Sequence, residues 1–442
     1  MPEYSISNPI QPILRIRSIT MACMLVLLSA CDSHKQGDPQ QNKIKVNYDP
    51  YTSTPLSTRA EMGKKLFFEP ALSASGKMSC ASCHNPTHAF GPPNALAVQM
   101  GGKNLYLQGL RAAPNLTYAK EAPQFAIGPS DDDQPRVIMV DNKQLPTQDP
   151  KLLTPHGGLF WDGRVSSLKQ QAIGPLMNPL EMGNASKEEL IHSIKKLNYF
   201  NEIKKLIDPK KFTNDDLFLS EVMFLIARYQ SEDRVFAAYN SKYDLYLQQK
   251  VQLTDAEKRG LALFDDPKKG NCAACHLDKP RADSRPPLFT DYEYVALGVP
   301  RNFEIKANNN PKFFDLGICG PGRTDIYVTQ SSNCGLFRTP TLRNVALRKA
   351  FFHNGKYHSL KDVINFYVNR DTRPEQVYPK RADGTVDKFN DLPTQYQNNI
   401  NFSDAPFTNK VGSSSALSDS EVQDLIVFLG TLTDGYQSKA KP

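Results

Sequence analysis

The chain has 442 residues, with 40% hydrophobic, 22% charged and 10% aromatic side chains. That balance supports a buried core and excludes both a disordered chain and a multi-span membrane protein. Its 53 Lys and Arg against 46 Asp and Glu give a formal charge of +7, without the long basic runs of a nucleic-acid binder, so nucleic acid is set aside as a partner.

Residues 1–31 read as an address. Arg15 and Arg17 precede an apolar run from Met21 to Ala30, too short to span a bilayer but right for the core of a signal peptide. It ends in Leu28-Ser29-Ala30-Cys31, which resembles a bacterial lipobox and marks Cys31 as the lipidated first residue of an exported protein. An ordinary secretory signal cut nearby is the alternative, and either one places the mature chain in the periplasm. Residues 32–55, polar and rich in Gln, Lys and Asp, are expected to form a flexible tether.

From residue 56 the pattern turns helical. Glu61 to Phe68 forms a short amphipathic helix, followed by Cys80-Ala-Ser-Cys83-His84. Two thiols one helical turn apart reach the two vinyl groups of a haem, and the adjacent histidine turns its imidazole to the iron, so C-x-x-C-H points to covalent haem c. A thioredoxin-like redox pair and a zinc site are the competitors. Residues 119–158 have few apolar runs and several Pro and Asp, and are expected as an extended loop inserted in this half. A capping box at Ser186 to Glu189 starts a helix, and Leu217 to Phe236 forms the helix that closes the half.

The second half repeats the plan. Glu257 to Phe264 matches Glu61 to Phe68, with Gly63-x-x-Leu66-Phe67 corresponding to Gly260-x-x-Leu263-Phe264, and leads into Cys272-Ala-Ala-Cys275-His276. Cys319 and Cys334 lie in a Gly- and Pro-rich stretch and read as a loop-closing disulfide in an oxidising compartment, or else as two free thiols. A helix starts at Leu360, and Ser418 to Thr433 closes the half with Leu425, Ile426, Phe428 and Leu429 on an apolar stripe. The expected fold is mainly α: two tandem domains resembling class I cytochrome c, at 56–240 and 241–436, with long loops and a short tail at 437–442.

Further motifs connect these halves. Phe160-Trp-Asp-Gly-Arg164, Gln171-Ala-Ile-Gly-Pro175 and Asn178-Pro-Leu-Glu-Met182 stand between the haem motifs; Arg338-Thr-Pro-Thr-Leu-Arg-Asn-Val345 and Phe351-Phe-His-Asn-Gly355 follow the second. Together they resemble the bacterial dihaem cytochrome c peroxidases and their MauG-like relatives over roughly residues 56–435. The resemblance implies two covalent haems, with His84 and His276 as proximal iron ligands and hydrogen peroxide reacting at the first. Gln171 and Glu181 then line the distal side, where a carboxylate can carry a proton from one peroxide oxygen to the other. Trp161 corresponds to a tryptophan between the haems that carries electrons or holes. Pro175 corresponds to a pocket-narrowing proline, and Arg164, Arg338, Arg343 and His353 to residues near the haem propionates. Without those flanking motifs, Glu181 would merely precede a helix, Gln171 would be surface polar and Trp161 a packing anchor.

Four departures from the family pattern matter. Fourteen residues after the histidine of Phe352-His353-Asn-Gly355, where the peroxidases have a methionine ligand, stands Tyr367. A phenolate favours oxidised iron, so the resemblance points to the MauG-like branch, the alternative being a core tyrosine. No histidine lies between Leu96 and Arg111 to cap the first iron, so that site is expected to be open, with His88 and His156 the residues that would spoil the expectation. Ala112 replaces an Asn found near an inter-domain calcium, which leaves only backbone carbonyls for such an ion. Trp161 is the chain's one tryptophan, so MauG's surface-tryptophan route to a protein substrate has no counterpart.

The sequence is thus read as a periplasmic dihaem oxidoreductase, anchored to a membrane by lipid alone. It either reduces peroxide with a small electron donor, a cytochrome or cupredoxin, or oxidises a protein partner. A non-catalytic dihaem electron carrier or a peroxide sensor is the rival reading.

Overall fold

Each half is built on a crossing of its first and last helices. In the computed structural model, which describes residues 55–128, 138–140, 143–145 and 154–437, α1 (Thr58–Phe67) crosses α6 (Asp215–Glu232) and α8 (Asp255–Asp265) crosses α10 (Asp419–Gly430). Glycine makes both crossings possible. A Cβ on Gly63 would overlap the carbonyl of Leu225 and crowd Tyr229, and one on Gly260 would overlap the carbonyl of Asp424 and crowd Phe428. The repeated Gly-x-x-Leu-Phe is therefore a close-packing signature, and its phenylalanines, Phe67 and Phe264, sit fully buried beneath the crossings.

Around the first crossing pack α3 (Leu168–Met177), α4 (Lys187–Lys195) and α5 (Phe200–Leu206), burying Leu176, Leu190, Ile194 and Ile203 in one core with Leu66 and Val222. The helix at α4 starts as expected, but its box is offset. Ser186 Oγ accepts from the Glu189 N–H at 3.2 Å, while the Glu189 carboxylate returns to the Ala185 N–H, one residue earlier than the standard pattern. Around the second crossing pack α7 (Lys242–Leu247) and α9 (Leu360–Asn369), with Tyr243, Ile364, Val368 and Leu425 in a second core. The two cysteine motifs differ slightly: Cys80–Cys83 forms a single α-turn, α2, and Cys272–Ala274 a 3-10 turn.

Strand is confined, among the described residues, to four two-stranded antiparallel pairs. One of them changes the picture of residues 119–158. Ala126–Gly128 pairs with Thr154–His156, so the insertion has a ribbon at its base and is not loop throughout. That base docks on the second half: the Gly157 N–H donates to the Tyr292 carbonyl at 2.9 Å, and the Tyr294 hydroxyl to the Gly157 carbonyl at 2.7 Å. Cys319 and Cys334 are joined as a disulfide across a separation of 15 residues. The described residues all belong to one compact unit, Ile44–Pro442. The signal segment, Cys31, the tether up to residue 54 and residues 438–442 lie outside the described residues.

Candidate functional site

Both histidines of the C-x-x-C-H motifs are held in the same way. His84 Nδ1 lies 3.1 Å from the Phe90 carbonyl and His276 Nδ1 2.9 Å from the Phe289 carbonyl. An imidazole that donates Nδ1–H to a carbonyl keeps its Nε2 lone pair for a metal. Burial pushes both rings down to about 4, despite the Phe90 and Pro114 carbonyls at one and the Phe289 and Pro340 carbonyls at the other, so each imidazole is neutral, the ligating form. The residues supplying these carbonyl acceptors are strained to serve: Phe90 and Phe289 both take positive φ, 53° and 54°, a region bulky residues avoid unless their surroundings impose it. Neither cysteine pair is joined as a disulfide. Burial pushes the Cys80 and Cys272 thiols up to about 12.

Beside the second motif lies a cavity of about 250 Å³ lined by Cys272, Cys275, His276, Trp161 and Tyr367, with Val363, Ile364, Leu425 and Leu429 among its apolar walls. Tyr367 reaches it from α9, packed against Phe352, Phe366 and Phe407. Burial holds its phenol well above the ordinary value, so ionisation there would need a cation at the oxygen. The cavity also faces donors that lack an anion. Arg338 Nε is buried without a hydrogen-bond partner, and so is the hydroxyl of Tyr292, whose ring lies 5.5 Å from the Arg338 guanidinium. Arg348 is buried against the carbonyls of Ala113 and Ala350 and the Asn115 amide oxygen, and burial alone drives it down to about 10. Two thiols, a neutral imidazole, apolar walls and uncompensated buried cations fit a haem c with its carboxylate arms.

Near the first motif the structure gathers a different set. Gln171 and Pro175 lie one turn apart on one face of α3. The Pro175 carbonyl accepts from the Met182 N–H at 3.0 Å and folds the following segment back under the helix. Glu181 is thereby half-buried, its Oε1 accepting from Asn178 Nδ2 at 2.6 Å. Burial holds its carboxyl above the ordinary range, outweighing Asn178 and Arg164, and the Cys83 thiol is raised first by its own burial and then by the Glu181 charge. Sequence positions about one hundred residues apart are thus within electrostatic reach.

Trp161 stands between these regions. Its Nε1–H donates to the Ala112 carbonyl at 2.8 Å, while the Ala112 N–H donates to the His353 carbonyl at 2.7 Å. Pro114, two residues on, presents its carbonyl to His84, and His353 lines the cavity of the second motif, stacked on Phe337 with ring centroids 3.6 Å apart.

Two arginines expected near propionates also have carboxylate partners of their own, and Arg343 lines the second cavity as well. Arg164 meets both oxygens of Asp162 at 2.9 Å and lies 3.6 Å over the Phe160 ring. Arg343 is fully buried in a two-pronged ion pair with Asp244, at 2.8 and 2.9 Å, and donates to the Pro287 carbonyl at 2.7 Å. Both requirements are local: a buried carboxylate needs a cation, and Asp162 and Asp244 are entirely buried. Of the two histidines that could spoil an open first site, His88 bonds Thr87 Oγ1 at 2.9 Å, and His156 sits in the ribbon base opposite Ala126.

Reading the sequence missed Arg348, Tyr292 and the network in which Arg111 joins Asp162 and Asp315 at 2.6 Å. A signal was present only for the segment that Arg348 bonds, at Ala113 and Asn115. Ala113-Pro-Asn-Leu116 repeats as Thr339-Pro-Thr-Leu342, each presenting its proline carbonyl to a proximal histidine. No signal pointed to Tyr292. Among the described residues no cluster of three or more His, Cys, Asp or Glu side chains gathers as a further metal site.

Known proteins share this arrangement. A family model described as di-haem cytochrome c peroxidase matches residues 57–252. The crystal structure of the dihaem peroxidase BthA from Burkholderia thailandensis superposes with a TM-score of 0.73 at 36% identity, covering 88% of this chain and 89% of that one. The methylamine utilization protein MauG of Paracoccus denitrificans is 26% identical over 95% of this chain and 96% of its own length. The cytochrome c551 peroxidase of Nitrosomonas europaea is 28% identical over 72% of this chain and 76% of its own. The chain belongs to the dihaem cytochrome c peroxidase and MauG-like family, which carries two c-type haems, and it is an oxidoreductase of the dihaem peroxidase type.

Proposed function

We propose that the protein is a periplasmic, lipid-anchored enzyme of two tandem haem domains that reacts with hydrogen peroxide at the His84 site and shares the oxidising equivalents with a Tyr367-ligated second site. The observation that carries this reading is the asymmetry of the two sites: a carboxyl whose hold on its proton is raised near the first cysteine motif, and a tyrosine lining the cavity of the second. When bound, haem c supplies an iron that takes up peroxide and accepts its two oxidising equivalents.

The protein's own groups manage protons and position. Glu181, as carboxylate, takes the proton from one peroxide oxygen and returns it to the other, so that water leaves. Its raised affinity for protons suits it to both halves of that transfer. Gln171 orients the peroxide by its amide, and Pro175 narrows the pocket. Trp161, in contact with Ala112 on one side and the second cavity on the other, serves as the electronic bridge. Arg338, with Arg348 and the Tyr292 hydroxyl, offsets haem carboxylates. A calcium ion between the halves would rest on backbone carbonyls. The electrons come from a small donor protein, or from a protein substrate that is itself oxidised.

The test is spectroscopic. Optical and electron paramagnetic resonance spectra of the fully oxidised holoprotein, taken before and after one equivalent of peroxide, should show one high-spin and one low-spin ferric site, both bleached by peroxide. In Tyr367→Met the low-spin signal and the bleaching should change. Two low-spin sites indifferent to peroxide would overturn the reading and leave an electron carrier.

A further inference from the structure

One surface joins the outer walls of both sites. The hairpin formed by Met100–Gly101 and Leu107–Gln108 holds Glu181 from behind, the Gly102 N–H donating to its carbonyl at 2.6 Å. Its other side is clasped to the second half: Gln108 Nε2 donates to the Glu304 carbonyl at 2.8 Å, and the Lys306 N–H to Gln108 Oε1 at 2.7 Å. The clasp joins the two segments that carry Tyr106, Leu107 and Phe303, at 77%, 47% and 57% exposure. Behind Phe303, Asn302 Nδ2 donates to the Asn354 carbonyl at 2.9 Å, and the preceding residues Phe352 and His353 line the second cavity.

Large apolar side chains left in water over a reactive centre need a reason. Their surroundings supply one. Lys103, Lys306 and Lys349 are exposed and Lys356 half-buried around the patch, and none is paired with a carboxylate among the described residues. The acid of this rim, Glu304, is met by His358 at 3.2 Å, whose other nitrogen bonds the Lys349 carbonyl at 2.9 Å. An apolar centre with an unpaired basic rim complements a face that is apolar at its centre and acidic at its edge, and opposite charge speeds docking without making release slow.

We propose that this face, built from the 100–108 hairpin, Phe303 to Lys306 and the 349–358 segment, is the docking surface for an acidic globular redox protein. It rests on the proposed function in that the partner exchanges electrons with the enzyme. The complex is small and transient, as redox encounters are.

The test uses an acidic type I copper protein as probe and a basic cytochrome c of the mitochondrial type as its charge-reversed control, titrated against the holoprotein with and without added salt. The acidic probe should bind in the micromolar range and weaken with salt, and the basic one should not bind. Lys103→Glu with Lys306→Glu should weaken binding at least about tenfold and flatten the salt dependence. Tyr106→Ser with Phe303→Ser should weaken it about as much while leaving the salt dependence in place. These positions are exposed, and thermal unfolding confirms that each variant is folded. No binding by the acidic probe, tighter binding by the basic one, or indifference to both double variants would overturn the proposal. Peroxide consumption with a small-molecule donor separates it from the functional reading. If turnover persists while binding ignores the variants, the surface is wrong and the function stands. If binding behaves as expected but no protein consumes peroxide, the function is wrong and the surface stands.

Discussion

The two halves share a scaffold and differ in what is added to it. In the first, Gly63 meets Leu225, Phe67 packs edge-on to Tyr229 at 5.5 Å, and the strained Phe90 holds His84. In the second, Gly260 meets Asp424, Phe264 packs edge-on to Phe428 at 5.3 Å, and the strained Phe289 holds His276. Position for position, the device that fixes a proximal histidine is repeated. The distal groups are not: the first half brings Glu181 on the turn after α3, and the second brings Tyr367 on α9. On the proposed reading, attachment of the cofactor belongs to the repeated frame, whereas reactivity belongs to the segments between its first and last helices.

The largest effect should come from unpairing a cation buried beside the seam between the halves. Arg343 lies in the second half, at the position that Thr117 holds in the first repeat, and its guanidinium is 4.8 Å from the ring of Tyr118 in the first. Asp244→Leu leaves that buried cation unpaired and should cost about 3 to 5 kcal/mol in urea unfolding of the holoprotein, with Arg343→Met added to it restoring much of the loss. Recovery in the double variant identifies the unpaired charge as the cause.

Next come the distal groups. Glu181→Gln should slow the reaction with peroxide at least about 100-fold, equivalent to about 2.7 kcal/mol of barrier. Because burial raises the Glu181 carboxyl, the rate should fall as pH drops through a value above the ordinary 4.5. That acid limb disappears in Glu181→Gln and survives in Tyr367→Phe, which belongs to the other half. Stopped-flow rates across pH decide this, and an unchanged limb in Glu181→Gln would assign it to another group.

The repeated frame itself is tested by size. Gly63→Ala and Gly260→Ala should each destabilise by about 1 to 3 kcal/mol, because backbone carbonyls cannot move aside as side chains can. At Gly430 a Cβ would meet nothing within 4 Å, so Gly430→Ala should be neutral or stabilise slightly. Equal losses at Gly63 and Gly260 would match the equal geometry.

How much of this could be read from the sequence follows the same division. The frame was legible because it is local and repeated: C-x-x-C-H, Gly-x-x-Leu-Phe and the apolar stripe of α10 each span a few residues. The disulfide was legible from its Gly- and Pro-rich setting. The ribbon base at Ala126–Gly128 was not, because three-residue strands joined over about 25 positions leave no alternation to detect. The pairings of Arg164 and Arg343 were not, because a motif names an arginine without naming its partner, and Asp244 lies 99 residues away. Arg348 and Tyr292 acquire meaning only when burial removes their other partners.

The smallest effect contrasts how the two frames begin. Helix α8 is capped within its own first turn: Thr254 Oγ1 accepts from the Glu257 N–H at 3.3 Å, and the Thr254 N–H donates to Glu257 Oε2 at 2.6 Å. Helix α1 has a local cap, Ser57 Oγ accepting from the Ala60 N–H at 3.2 Å, but is also anchored from afar, since both the N–H and the hydroxyl of Ser57 donate to Glu232 at the end of α6, each at 2.9 Å. Thr254→Val and Ser57→Ala should each cost about 1 kcal/mol, but their pH behaviour should be read at Glu232. Slight burial alone would raise that carboxyl, yet hydrogen bonds from Ser57 and the charge of Arg228 outweigh it and hold it below the ordinary 4.5. Its contribution is therefore present above about pH 4.5 and is lost as the pH falls through its lowered value. In Ser57→Ala that acid loss should shrink, because the donors that lowered Glu232 have been reduced. If the stability of Ser57→Ala and the parent fell in parallel on acidification, the long-range cap would have no energetic content. The first helix would then be held by its local cap and by the packing of the crossing it makes.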